Sequence, residues 1–159
     1  MTIIAVKSAK PTQREHIISM VNFCVDKLMP RMKGLEITVK LKDLSKTDCY
    51  GFCTADPEGD AERTDRPRVF ELEIHKNMRL RKILETIAHE MVHVKQYARG
   101  ELYQGSRINK MRWQGDWLDK DPDYWDQPWE IEAHGRECGL FVRWAEAAGL
   151  AKHKWTKVD

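Results

Sequence analysis

Between Leu80 and Ala98 the residues Ile83, Leu84, Ile87, Ala88, Met91, Val94 and Ala98 recur at helical spacing, and the same segment carries His89-Glu90-Met91-Val92-His93. This combination limits the chain more than any other feature. Histidines four positions apart stand on one helical face about one turn apart, so both imidazoles can reach a single metal ion. Glu90 adjoins them and is placed to take a proton from water whose pKa a bound zinc lowers to roughly 7. H-E-x-x-H on a helix thus predicts Zn2+ as cofactor, His89 and His93 as ligands, and Glu90 as the general base of peptide hydrolysis. The competing expectation is a solvated face, because Lys82, Glu85, Thr86, His89, His93 and Gln96 form a polar stripe opposite the apolar one.

The chain has 159 residues, 42% of them hydrophobic, enough for a single domain over 1–159 with a real core. No apolar run approaches the roughly 20 residues of a membrane span, and Met1–Lys7 is too short for a signal peptide's apolar region. A cytoplasmic protein without membrane contact is the expectation. Cys24, Cys49, Cys53 and Cys138 are few and scattered, and the three-residue gap between Cys49 and Cys53 differs from a C-x-x-C knuckle, so reduced thiols are expected. A formal net charge of +2 is too small to argue for nucleic acid. Lys152, His153, Lys154 and Lys157 around Trp155 form the one basic run where such contact is considered, against the ordinary reading of a solvated terminus.

Thr12-Gln13-Arg14-Glu15 reads as a capping box, followed by Ile17, Ile18, Val21, Cys24, Val25 and Leu28 on one face until Pro30 ends the helix. Leu35, Ile37, Val39 and Leu41 alternate with polar residues, the period of a half-buried strand. Tyr50–Ala55 and Val69–His75 read as further strands around a polar loop from Asp56 to Arg66. The expected fold is α+β: a small, mostly antiparallel sheet packed on the N-terminal helix and the H-E-x-x-H helix, plus a C-terminal helix. Residues 70–75 run almost directly into that second helix, and as an edge strand they would pair with an extended substrate. His75 is expected to be a surface residue rather than a fourth ligand.

A catalytic zinc normally takes three protein ligands, and no histidine occurs between Val94 and Ala133. A third helix, from Gln127-Pro128 to Gly149, supplies the candidates. At 3.6 residues per turn Glu132, Arg136, Arg143 and Glu146 share a charged, solvated face. Glu130, His134, Phe141, Trp144, Ala145 and Ala148 share the core face. Glu130 is favoured as third ligand, with His134 the alternative, because a charged group bound for the core needs a partner and a metal is a natural one. Glu137 is expected to pair with an Arg or Lys. Tyr97, Tyr103 and Tyr124 are candidates for stabilising an oxyanion, packing being the ordinary role of each.

In Glu73-Ile74-His75-Lys76-Asn77, Leu84–His93, Met111-Arg112-Trp113-Gln114-Gly115 and Tyr124–Ala133 the chain resembles the SprT-like (Spartan-type) zincins, most closely their small phage-type members. The matching stretches cover about half the chain. The resemblance implies a minigluzincin-like fold, zinc, a protein or peptide substrate, and peptidase activity carried by Glu90. SprT-like proteins typically place a third histidine, followed by glycine, soon after the H-E-x-x-H helix; here His134-Gly135 comes much later. The Glu130-x-x-Ala133 spacing is similar to gluzincins, where glutamate is the third ligand. A zincin-shaped protein that binds metal or partners without turnover is the alternative function; the presence of Glu90, which a structural site does not need, argues against it.

Overall fold

A computed structural model describes residues 1–58, 65–105, 110–119 and 123–157. It is α+β, with three helices, a four-stranded mixed sheet and a three-stranded antiparallel sheet. The first strand, β1 (Ile3–Lys7), leads into helix α1 (Pro11–Leu28) and back into β2 (Glu36–Lys42), so β1 and β2 lie parallel, as a helical crossover requires. β3 (Gly51–Ala55) and β4 (Val69–His75) complete the sheet in the order β1-β2-β4-β3. β4 is parallel to β2, pairing Ile37 with Phe70 and Leu41 with Ile74, whereas β3 is antiparallel to β4, pairing Gly51 with Ile74.

Two expectations are overturned here. The main sheet is mostly parallel, because α1 carries the chain from one end of β1 to the same end of β2. Residues 70–75 lie in an interior strand, flanked by β2 and β3, and the edge beside the second helix is β3.

Alternation gives the sheet one apolar and one charged face. Ile37, Val39, Leu41, Phe70, Leu72 and Ile74 are buried under the helices, each worth about 1.5–3 kcal/mol relative to exposure. On the other face Lys40 pairs with Glu71 at 3.1 Å and Lys42 with Glu73 at 3.2 Å. Helix α1 starts one residue before the expected box: Pro11 occupies its first turn, and the Gln13 Oε1 accepts the Lys10 N–H at 3.1 Å. It ends at Leu28, two residues before Pro30.

Helix α2 (Leu80–Ala98) is buried almost all round, since α1 and the sheet cover its apolar face and α3 (Pro128–Ala147) covers the polar one. The second sheet, β5 (Leu102–Gln104), β6 (Lys110–Trp113) and β7 (Asp116–Asp119), lies between these helices in sequence. Gln114 and Gly115, with φ of 48° and 90°, link β6 to β7, two residues in the left-handed region as a tight hairpin turn requires. Leu102 and Met111 pack there with Trp129 of α3.

The C-terminal segment is docked rather than frayed. Trp155 packs 5.4 Å from the His16 ring, and the Thr156 carbonyl accepts from Arg81 Nη1 at 2.6 Å, while Lys152, His153, Lys154 and Lys157 stay exposed. The four cysteines are unpaired, and burial pushes the Cys24 thiol up to about 12. Among the described residues no helix is long and apolar enough to cross a membrane.

Candidate metal centre

Helix α2 delivers His89 and His93 to the α2–α3 boundary, and α3 delivers Glu130 from its first turn. The carboxylate lies between the imidazoles: Oε2 is 3.2 Å from His89 Nε2 and Oε1 is 3.0 Å from His93 Nε2. The three residues offer ligand atoms within 4.8 Å of one another, a set that could hold a metal ion. Both histidines are buried, at 7% exposure each, so the solvated-stripe expectation fails because α3 lies over that face.

The ring orientations are fixed from behind. His89 Nδ1 lies 2.7 Å from Glu137 Oε2, and His93 Nδ1 lies 2.7 Å from Gln96 Oε1. The Gln96 amide cannot be turned round, because its Nε2 donates to the Trp129 carbonyl and to Glu132 Oε1, both at 2.9 Å. Both Nδ1 atoms therefore carry a hydrogen that they donate to an oxygen, and both Nε2 atoms converge on Glu130. This is the orientation in which outer hydrogen bonds set metal-binding histidines, and the donor chemistry fits a cation such as zinc.

Electrostatics tie the cluster together. Burial pulls the His89 pKa down, but hydrogen bonds to Glu130 and Glu137 outweigh it and raise the pKa to about 10. His93 is raised for the same reason, with Glu130 overcoming burial. Burial favours the neutral form of Glu130, yet its hydrogen bonds to His89 and His93 hold it well below the usual carboxylate range. Glu90 shifts the other way: burial raises its pKa, only partly offset by His93 and His89.

Glu90 is 5% exposed and has neither a hydrogen bond nor an ion pair among the described residues. Edge strand β3 passes directly against it. A Cβ on Gly51 would lie 2.9 Å from Thr86 Cγ2, 3.1 Å from Glu90 Oε1 and 3.2 Å from the Glu73 carbonyl oxygen, so a larger residue here would force Thr86 to shift and crowd Glu90.

The neighbouring residues sort differently from their expected roles. His134 groups with His89 and Glu137, whereas Glu130 is the group that joins both histidines of the motif. Glu137 has no Arg or Lys partner among the described residues and bonds His89 instead, with His134 Nδ1 3.4 Å from its other oxygen. Glu132 is half-buried rather than fully solvated: it accepts from Gln96 and takes Lys95 Nζ at 2.7 Å, and Lys95 is itself buried and also pairs with Glu101 at 2.8 Å. Glu132 pairs with Arg136 of its own charged face at 3.2 Å, but α2 packs close enough to cover part of its carboxylate.

Of the three tyrosines only Tyr124 enters the cluster. Its hydroxyl donates to Glu130 Oε2 at 2.7 Å and lies 2.9 Å from His134 Nε2. Tyr103 instead meets Trp117 edge to face and lies under Arg112, and Tyr97 packs against the core. His75 lies apart, accepting the Leu44 N–H at 3.0 Å. Sequence reasoning missed Gln96 as a support; its place three residues after His93, on the same face, was the available signal.

No protein-family model, no curated protein and no solved structure matches this chain. The functional reading therefore rests on the chain's own residues.

Proposed function

We propose that this chain is a zinc metallopeptidase of zincin fold, the reading its resemblance to SprT-like zincins also implies. One observation carries it: three convergent donors from His89, His93 and Glu130 stand beside Glu90, a buried carboxylate with no hydrogen bond or ion pair among the described residues. Zinc held by those three residues would supply Lewis acidity toward the scissile carbonyl and lower the pKa of water.

The remaining steps belong to the protein. Glu90, its pKa raised by burial, takes the proton from the attacking water and returns it to the leaving amine. Tyr124 and His134 stand next to Glu130, and the Tyr124 hydroxyl, which donates to Glu130 in this structure, would turn its hydrogen to the developing oxyanion once Glu130 holds the metal. The outer edge of β3 offers main-chain pairing to an extended peptide, which would bring its scissile bond to Glu90 with little side-chain preference.

Elemental analysis and casein cleavage test this reading together. Glu90→Gln is expected to keep one zinc per chain and to lose cleavage by at least about 100-fold, since an amide cannot take the proton. Equal cleavage by both proteins shows that Glu90 is not the base. Zinc without turnover in either protein points to a metal-holding protein, and failure to bind zinc at all removes the reading.

A further inference from the structure

At the far end of α2 from its first turn, the turn that follows α1 and the start of β4 enclose an open cleft of about 630 Å³ that shares no residue with the metal centre. Arg31, Lys33, Arg68 and Arg99 line it, and no acidic residue does; Met29 and Met32 are among its apolar residues. The turn is built rather than loose: the Met32 N–H donates to the Met29 carbonyl at 3.0 Å, and Met29 is buried.

The four cations are not equivalent. Arg68 Nη1 is occupied by the carbonyls of Arg66, Pro67 and Ala98, and Arg99 pairs with Glu101 at 3.3 Å. These two have a structural role at the end of α2. Arg31 and Lys33 are exposed and make no hydrogen bond or ion pair among the described residues. Two unmatched positive charges thus stand beside an apolar concavity of a size typical for ligand sites.

We propose that this cleft binds an acidic, leucine-bearing peptide segment of a partner protein. Carboxylates would pair with Arg31 and Lys33, for which the arginine fork is well suited. An apolar side chain would pack on the half-buried Met32, whose flexible thioether adapts to varied shapes, with the buried Met29 behind it. A nucleic-acid backbone fits less well, because it has no apolar group for the methionines and the cations converge on one hollow instead of tracking a stripe. Binding here is independent of the peptidase reading.

The test is fluorescence anisotropy on the full chain carrying Glu90→Gln, which excludes cleavage. The probe is a labelled decapeptide of aspartates and glutamates with two leucines. Saturable binding is expected, weakened at least about tenfold by Arg31→Glu with Lys33→Glu and unchanged by Lys152→Glu with Lys154→Glu. Replacing the leucines by serine is expected to weaken binding about tenfold as well. Circular dichroism checks that the exposed-residue variants fold. The proposal fails if the peptide does not saturate below about 1 mM, if the Arg31/Lys33 variant binds equally, if the serine peptide binds equally, or if a single-stranded oligonucleotide of matched charge displaces the peptide at equal concentration.

Discussion

The two sides of helix α2 are built on opposite principles. Toward α1 and the sheet it presents Ile83, Leu84, Ile87, Met91 and Val94, all fully buried against apolar neighbours. Toward α3 it presents His89, His93, Lys95 and Gln96, equally hidden yet polar or charged. Burying a charge is costly unless it is paired, and here three glutamates of α3 supply partners for all four: Glu137 on His89, Glu130 on both histidines, Glu132 on Lys95 and Gln96. The apolar side supplies cohesion that tolerates approximation. The polar side supplies fixed direction, and each of its members depends on another.

Breaking the apolar side gives the largest loss of stability. Leu72→Ala, in the strand beneath the helices, is expected to cost about 2–5 kcal/mol in urea unfolding, while zinc content of the remaining folded protein stays at one per chain. Should Leu72→Ala instead empty the proposed zinc site, the two sides are not separable as described.

On the polar side, Glu132→Ala leaves the buried Lys95 with Glu101 alone and Gln96 without one acceptor. A loss of about 1.5–3 kcal/mol is expected, the range for hydrogen bonds to charged groups. Urea melts within about 0.5 kcal/mol of wild type would return Glu132 to the surface role its helical phase suggested.

Gln96→Leu sharpens the comparison further, since it keeps the volume and removes the acceptor from His93 Nδ1. Zinc affinity, measured by chelator competition, is expected to fall about 10- to 100-fold, with cleavage falling in parallel at limiting zinc. An unchanged affinity means the imidazole is held by packing alone.

The mildest probe is pH. The raised His89 pKa stabilises the metal-free fold fully below its ordinary 6.5, and that contribution is lost as pH rises through about 10. Glu130, held below its ordinary 4.5, contributes above that value and loses its contribution as acid protonates it. Zinc has to displace the imidazole proton, so its affinity is expected to rise about tenfold per pH unit for each proton released above pH 6.5. Competition titrations showing no slope across that window would mean the histidines are already neutral.

Much of this was legible from periodicity. α2 and α3 fall where the apolar spacing predicts them, and β2, β3 and β4 follow their alternation. Glu130 could be separated from Glu132 because helical phase depends on local sequence alone. What could not be read depends on how elements meet. The parallel sense of β2 and β4 follows from strand order, to which no residue pattern points. β1 is nearly all apolar over Ile3–Val6 and so shows no alternation, and the strands of the second sheet are three or four residues long, too short for a period. Glu137 met His89 rather than a lysine because of the helix crossing, which brings together side chains 48 positions apart.

That distance matters while the chain is still folding. His89 and His93 are brought together by one turn of α2, a local event on the microsecond scale. Glu130, Glu137 and the partners of Gln96 arrive only after the intervening chain closes a loop of more than thirty residues and α3 docks. A half-made chain therefore owns the two histidines and Glu90 but not the third donor or the braces that aim the rings. Completion of the candidate metal centre is then timed by topology: the newly synthesised protein passes through its most vulnerable, unfolded period before His89, His93 and Glu130 are together to hold an ion.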